Sequence, residues 1–134
     1  MFYEFNQNNS GGHFTRNDSV DHYVIVEATD WADANQRAEN IGIYFCGVRD
    51  GIDCECCGDR WYDRWDDDAG KDVPSHYDSP LTLESVSTLK NPRLHTVVIH
   101  YLDGRVVYTT ATSENTNLNN WRDLALNDDD ASER

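Results

Sequence analysis

The strongest constraint on the fold is a hairpin pattern in the last third of the chain. Residues 95–112 read HTVVIHYLDGRVVYTTAT, two runs rich in β-branched and aromatic residues on either side of Asp103 and Gly104. An Asp-Gly pair between such runs is typical of a type I′ turn, because both central positions of that turn need a positive φ. The sequence therefore predicts an antiparallel hairpin with a two-residue loop, in which His100 faces Val107.

The N-terminal third predicts two further strands and one helix. Residues 2–7 and 20–28 have the composition of strands and are expected to pair as an antiparallel hairpin, since turn-forming residues separate them. Thr29 or Asp30 can cap a helix through a side-chain oxygen, and Gly42 can end that helix at low conformational cost. The apolar face of this helix is formed by Trp31, Ala34, Ala38 and Ile41.

These elements predict an α+β domain, with a small antiparallel sheet, one helix packed across it, a cysteine-rich knuckle loop and a C-terminal β-hairpin. Residues 43–48 are expected to form a buried strand, and residues 54–80 a long loop held by a local anchor. Residues 117–126 predict a short docked helix, and residues 127–134 a frayed tail. At 134 residues, the chain is expected to be a single domain spanning 1–134.

Three of the four cysteines lie in the stretch CECC. Cys54 and Cys57 are spaced as C-x2-C and followed by Gly58, which is the pattern of a zinc knuckle: a tight turn whose amides point at the sulfurs. Zinc prefers a tetrahedron of soft ligands, and one knuckle supplies two of them. The sequence therefore predicts a structural zinc site. The candidate ligands are Cys46, Cys54, Cys56 and Cys57, with His76 as an alternative fourth ligand.

Two other interpretations of the cysteines remain open. Reduced cysteines often pack as small hydrophobic residues. A C-x2-C pair can also cycle between thiol and disulfide, but Asp53, Glu55 and Asp59 surround the cysteines in the sequence. Negative neighbours raise a thiol pKa, so the sequence argues against a reactive thiolate.

An aromatic and acidic stretch, RWYDRWDDD, follows the cysteines directly. Tryptophan, tyrosine and arginine are the residues most enriched in interface hot spots, so this stretch is a candidate binding surface. If it were helical, Trp61 and Trp65 would share one face. The alternative is that both tryptophans close the core while the arginines pair locally with the aspartates. The candidate partner-binding residues are Trp61, Tyr62, Asp63, Trp65, Asp66, Asp67 and Asp68.

Composition limits the classes of partner. The net charge of −14 should repel nucleic acid and anionic membranes and attract basic surfaces, although plain solubility also explains it. No apolar run approaches the roughly 20 residues of a membrane span, and no secretory signal is visible, so we expect an intracellular protein. The sequence carries no P-loop, G-x-S-x-G or H-E-x-x-H motif, and its histidines in predicted strands favour structural roles, so an enzyme is not predicted.

Two stretches, FYEFNQNNSGGHF at the N-terminus and GIDCECCGDRW in the middle, resemble a family of small proteins encoded by tailed bacteriophages. The resemblance spans roughly residues 2–61 and fades beyond them. Its second motif is similar to D-C-P-C-C-G-D-R-W, with Glu55 in place of the proline and with Cys46 outside the motif. The resemblance implies phage origin and action in the host cytoplasm, and it implies no established activity.

Charge, size and resemblance together lead to one functional hypothesis. We expect a non-enzymatic phage accessory protein that binds and inhibits a bacterial nucleic-acid-handling or defence protein, such as a CRISPR effector, by occupying its basic surface. The alternatives are a sponge for a cyclic nucleotide, which would need a pocket with convergent arginine or lysine residues, and a zinc-stabilised virion or assembly component.

Overall fold

The computed structural model describes residues 1–77, 79–81 and 86–110. Six strands and one α-helix are found in these residues. They are β1 (Phe2–Asn6), β2 (Tyr23–Glu27), α1 (Trp31–Asn40), β3 (Ser75–His76), β4 (Ser79–Pro80), β5 (Val97–His100) and β6 (Val106–Thr109). The sheet order is β1-β2-β5-β6, and β3 and β4 form a separate two-stranded ribbon. The α+β class is therefore confirmed; the expected helix at 117–126 and the expected tail lie outside the described residues.

The four-stranded sheet is mixed rather than wholly antiparallel. β1 pairs with β2, and β5 with β6, in the antiparallel sense, but β2 and β5 run parallel with Tyr23 opposite Val97. Parallel neighbours need a long crossover connection, and the chain between Glu27 and Val97 supplies one that contains α1. Every candidate site residue lies within or next to this crossover.

The sheet separates two apolar clusters because side chains alternate between the faces of a strand. On one face, Phe5 and Val24 pack with the buried side of α1 and with Trp61. On the other, Ile25 and Ile99 pack with Leu81 from the end of the ribbon. The crossover therefore contributes to both clusters.

Helix α1 begins and ends as its sequence predicts. The side chain of Asp30 accepts a hydrogen bond from the Asp33 amide at 2.8 Å, which satisfies one of the free donors of the first turn. Ala34 and Ala38 are buried against the sheet, and Gly42 follows the helix with φ +108°. Among the described residues, no helix has the length and apolar content needed to cross a membrane.

The β5–β6 hairpin forms, but its register differs from the predicted one by one residue. His100 pairs with Val106 rather than Val107. Gly104 has φ +96°, and its N–H donates to the carbonyl of Tyr101 at 3.0 Å. The loop is thus one residue longer than a type I′ pair, a hairpin type in which one glycine with positive φ is sufficient.

The strand predicted at residues 43–48 is wrong. Ile43 is buried, but the backbone turns there, and Cys46 has φ +60°. Gly47 lies so close to the Asp53 carboxylate that a Cβ at position 47 would collide with it. The apolar side chains of this run pack in the core under α1. Its backbone instead turns at Cys46 and passes close to the Asp53 side chain.

A buried carboxylate ties the beginning of β2 to the segment before β5. Asp21 is fully buried, and its Oδ1 accepts from Arg16 Nε at 2.9 Å and lies 2.8 Å from His22 Nδ1. Lys90 Nζ lies 2.7 Å from its other oxygen. Burial by itself raises the pKa of Asp21, but the hydrogen bond with His22 and the surrounding positive charges outweigh burial and lower it to about 2.

The low pKa of Asp21 predicts a stability change with pH. Because the folded pKa lies below the usual 3.8, the carboxylate contributes about 2 kcal/mol that is fully present above about pH 4 and is lost as the pH falls towards 2. Urea unfolding of Asp21→Asn should show that loss at pH 7 and a smaller difference from wild type at pH 3. The exposed neighbour Asp18 supplies the control, since Asp18→Asn should change stability by less than about 0.5 kcal/mol. Equal effects of the two substitutions would contradict this role.

Candidate metal centre and adjoining acidic surface

Three cysteines meet on a tight turn in the crossover. The Sγ atoms of Cys54, Cys56 and Cys57 lie within 4.8 Å of one another. The amides of Cys57 and Gly58 both donate to the carbonyl of Cys54, at 3.2 and 3.1 Å, and Gly58 has φ +87°. The tight turn that the C-x2-C-Gly pattern predicts is therefore present, and it leaves Cys56 and Cys57 exposed to solvent.

The turn lowers the pKa of one thiol, contrary to the expectation from sequence. A hydrogen bond from the Cys56 thiol is the largest cause that lowers the pKa of Cys54 to about 7, and the amides of Cys56 and Cys57 add to it. The hydrogen bonds of Cys56 with the sulfurs of Cys54 and Cys57 raise the pKa of Cys56 to about 11. The acids on either side of the turn are held by other donors: Asp53 accepts from Tyr44 Oη at 2.6 Å and Asp59 from the Val48 amide at 2.9 Å.

The N-terminal segment holds the cysteine turn in place. Asn8 Nδ2 donates to the carbonyls of Cys57 and Asp59, at 2.8 and 3.1 Å. The Cys54 amide donates to Ser10 Oγ at 3.0 Å, from the 3₁₀ turn that follows β1. Residues about 50 positions apart in the sequence are thus hydrogen-bonded to one another. The N-terminal stretch and the cysteine stretch, the two motifs quoted in the sequence analysis, are in direct contact.

A buried arginine completes this connection. Arg60 Nη1 donates to Gln7 Oε1 at 2.9 Å and to the His13 carbonyl at 2.8 Å. Its Nη2 donates to the Ser10 carbonyl at 2.6 Å, and its Nε to Tyr44 Oη at 3.2 Å. The sequence offered two interpretations of this arginine, an interface residue or a local partner of the aspartates, whereas Arg60 is buried and contacts the N-terminal segment.

Two of the predicted metal ligands do not join the cluster. Cys46 lies outside the group of three sulfurs, on the turn that replaces the expected strand. His76 is buried in β3, with Nδ1 2.6 Å from Glu4 Oε2 and its ring 4.1 Å from that of Tyr23. His76 Nδ1 is engaged by Glu4, and neither His76 nor Cys46 belongs to the group of three sulfurs.

The three sulfurs can hold a metal ion. Sulfurs that share a zinc ion lie about 3.8 Å apart, since each Zn–S bond is about 2.3 Å. Cys56 and Cys57 Sγ are 3.9 Å apart, which fits, and Cys54 and Cys56 Sγ are 2.9 Å apart, so the exposed Cys56 side chain would have to open slightly. One tetrahedral position stays free for water or for a side chain of a partner.

The aromatic and acidic stretch divides into a buried part and an exposed part. Trp61 is 2% exposed and belongs to the core beneath α1, so its assignment to a partner surface is wrong. Trp65 is 68% exposed, because the stretch forms no helix that would place the two tryptophans on one face. Asp68 is half-buried and lies 3.5 Å from Arg64. The remaining candidates, Tyr62, Asp63, Asp66 and Asp67, are exposed.

Sequence reasoning missed the residues that support the site. Asn8, Ser10 and Gln7 were interpreted only as turn-forming residues or as the end of a strand. The available signal was that their stretch and the cysteine stretch are the two motifs of the same family resemblance. A single sequence does not show which atoms of the two motifs are in contact.

Fold and site together define a small α+β domain with a cysteine turn that can bind a metal ion. The chain belongs to the family described as Domain of unknown function (DUF7296), whose model matches residues 1–118. No curated protein and no solved structure matches the chain. The matched range contains both the Asn8 segment and the cysteine turn.

The cluster predicts which thiols bind metal. With Co²⁺ as a probe under reducing conditions, wild type should show thiolate charge-transfer absorption that saturates at about one equivalent. Cys54→Ser and Cys57→Ser should each weaken binding by at least about 100-fold, since each removes a ligand. Cys46→Ser is the matched control and should bind as wild type does. An equal loss in Cys46→Ser, or no binding by wild type, would refute the assignment.

The contacts of Asn8 predict a positioning role. Asn8→Ala removes both bonds to the cysteine turn but no ligand, so Co²⁺ affinity should fall about tenfold while the charge-transfer spectrum keeps its shape. Asn9→Ala, at the exposed neighbouring position, is the control. A spectrum with fewer thiolate bands in Asn8→Ala would show instead that the turn had come apart.

Proposed function

We propose that this domain is a non-catalytic binding protein that attaches to a basic protein surface. The observation that carries the proposal is the exposed segment 62–68, here called the acidic-aromatic segment. Trp65 and Tyr62 are 68% and 53% exposed there. Within the described part of the chain, the carboxylates of Asp63, Asp66 and Asp67 have no ion pair. Exposed aromatic side chains beside unpaired charges are typical of a surface whose counterpart is on another molecule.

The shape of the segment supports a cationic counterpart. An open cleft of about 410 Å³ is lined by Tyr62, Asp63, Trp65 and Asp67, together with Arg64 and Asp68, which pair with each other. Such a cleft can accept a lysine or arginine side chain, because the ring faces attract a cation and the carboxylates can accept its hydrogen bonds. The net charge of −14 adds a long-range attraction that steers basic surfaces towards the protein and raises the rate of association.

The biological setting that fits this surface is phage interference with a host. In the proposal, a phage-encoded protein in the host cytoplasm binds and inhibits a bacterial nucleic-acid-handling or defence protein, for example a CRISPR effector. The negative charge and the resemblance to phage proteins support this setting. The protein would occupy a basic channel without contacting nucleic acid itself, because phosphate would be repelled.

The metal ion in this proposal is zinc with a structural role. Three thiolates from one turn match its preference for sulfur, and the bracing by Asn8 and Ser10 suits a fixed coordination geometry. Zinc would hold the turn that precedes the acidic-aromatic segment. Its loss would therefore loosen the binding surface rather than remove a reactive group.

The histidines support binding rather than catalysis. His22 and His76 each pair with a carboxylate, Asp21 and Glu4, as a general base often does. Both side chains, however, are almost wholly buried, at 2% and 1% exposed, which leaves little surface open to a substrate. Their carboxylates serve the packing of the sheet.

The proposal predicts salt-sensitive capture that depends on particular carboxylates. The immobilised protein should retain a bacterial partner from lysate at 50 mM NaCl and release it at 500 mM, since exposed charges are screened at high salt. Neutralising Asp63, Asp66 and Asp67 together as asparagine should reduce the retained partner at least about tenfold, and Trp65→Ala should do the same by removing an aromatic anchor.

A charge-matched variant distinguishes the effect of the acidic-aromatic segment from the effect of the overall net charge. Asp18→Asn, Glu39→Gln and Asp50→Asn remove the same charge at exposed positions elsewhere. This triple variant should retain the partner nearly as wild type does. Equal losses in the two triple variants would mean that only overall charge matters, and capture that is indifferent to salt would rule out the electrostatic proposal.

A further inference from the structure

The sulfurs of the cysteine turn are not equally spaced. Of the two sulfur–sulfur contacts in this turn, that between Cys54 and Cys56 Sγ is 2.9 Å long and that between Cys56 and Cys57 Sγ is 3.9 Å long. Sulfurs that share a zinc ion lie about 3.8 Å apart, whereas a disulfide joins them at about 2.05 Å. The separation of Cys54 and Cys56 is therefore midway, and a change of about 0.9 Å in either direction reaches one geometry or the other.

The backbone of the turn allows Cys56 to make this movement. Both ends of the turn are anchored, since the Cys54 amide donates to Ser10 Oγ at 3.0 Å and the Cys57 carbonyl accepts from Asn8 Nδ2 at 2.8 Å. Cys56 lies between these anchors and is exposed to solvent. Its side chain can therefore turn towards Cys54 or away from it while the ends of the turn stay in place.

Other cysteine pairs are less suited to a disulfide. A bond between the adjacent residues Cys56 and Cys57 would close a small strained ring, and their sulfurs would have to approach by about 1.9 Å. Cys46 lies outside the group of three sulfurs. Cys54 and Cys56 are thus the better-placed pair, and a disulfide between them would be readily reduced again because it would be exposed.

We propose that Cys54 and Cys56 form a reversible disulfide on reaction with a hydroperoxide, and that the turn binds a metal ion only while these two thiols are reduced. This regulation rests on the metal site of the proposed function. Metal ligands must be thiolates, so the disulfide removes two of the three sulfur ligands and leaves only Cys57. Hydrogen peroxide is small and neutral, and the net charge of −14 therefore does not repel it as it would an anionic oxidant.

The oxidation has two steps and needs no reactant other than the peroxide. One thiolate of the pair attacks a peroxide oxygen, the O–O bond breaks, and the sulfur becomes a sulfenic acid while hydroxide leaves and is protonated to water. The second thiol then attacks this sulfur, so that the S–S bond forms, the S–O bond breaks and a second water leaves. The two sulfurs together lose two electrons, the peroxide gains them, and the two thiol protons end in the water molecules.

The test is oxidation of the metal-free full chain with about one equivalent of hydrogen peroxide. The protein should lose two of its four thiols, and its intact mass should fall by two hydrogens without formation of a covalent dimer. Alkylation before and after reduction locates the oxidised thiols, because trypsin places Cys46 in the peptide 38–49 and the other three cysteines in the peptide 50–60. The oxidised thiols should all lie in 50–60, and a phosphine reductant should restore them.

Serine variants identify the pair. Cys57→Ser and the control Cys46→Ser should still lose two thiols at about the wild-type rate, whereas Cys56→Ser should do so at least about tenfold more slowly, because it removes the sulfur that contacts Cys54. Closure that survives in Cys56→Ser and fails in Cys57→Ser would assign the bond to Cys54 and Cys57 and overturn the inference. Oxidation of Cys46 to the same extent as the cluster would also overturn it.

Zinc release distinguishes this regulation from the metal site itself. Zinc-loaded protein should release its metal on the same oxidation, measured with a chromophoric indicator, and bind it again after reduction; zinc suits this because it is redox-inert. Wild type that binds Co²⁺ but keeps all four thiols in peroxide would overturn the inference and leave the metal site standing. Oxidised protein that retains its zinc would likewise overturn it. Wild type that closes the disulfide but never binds Co²⁺ would fail at the metal site, which overturns the coupling on that ground alone.

Discussion

Arg60 is 5% exposed, and its guanidinium lies between the two segments that form the candidate metal centre. Its acceptors are Gln7, Ser10, His13 and Tyr44. A buried charge is costly unless its donors are satisfied, so these acceptors and the arginine can reach their places only together. The turn after β1 and the cysteine turn are therefore parts of one folding unit, even though about 50 residues of chain separate them.

This arrangement explains how a short stretch can carry two different surfaces. Arg60 and Trp61 are adjacent and both buried, which anchors the chain at one point. The cysteine turn leaves this anchor on one side and the acidic-aromatic segment leaves it on the other. A metal ion on the sulfurs and a partner on the carboxylates would thus act on two segments that meet at this buried pair, and the Tyr62 hydroxyl also lies close to Gly58 of the cysteine turn.

Local patterns predicted the elements whose formation depends on neighbouring residues. The cap at Asp30 and the glycine at position 42 define α1, because capping involves atoms only a few residues apart. The strand proposed for 43–48 failed for the opposite reason. Apolar composition reports burial, but it does not distinguish a strand from a turn whose side chains fill the core. The parallel pairing of β2 with β5 was also invisible, since it depends on the path of a crossover of about 70 residues.

The candidate site shows the same division. The sequence by itself determined that Cys54, Cys56 and Cys57 share one tight turn, because their spacing and Gly58 set the local backbone. It also determined a strongly negative surface, since charge follows from composition. Only the tertiary structure decided that Cys46 lies apart, that Trp61 is core while Trp65 is exposed, and that Asn8 holds the cysteine turn. Those outcomes depend on contacts between distant segments, which a single sequence does not encode in any local pattern.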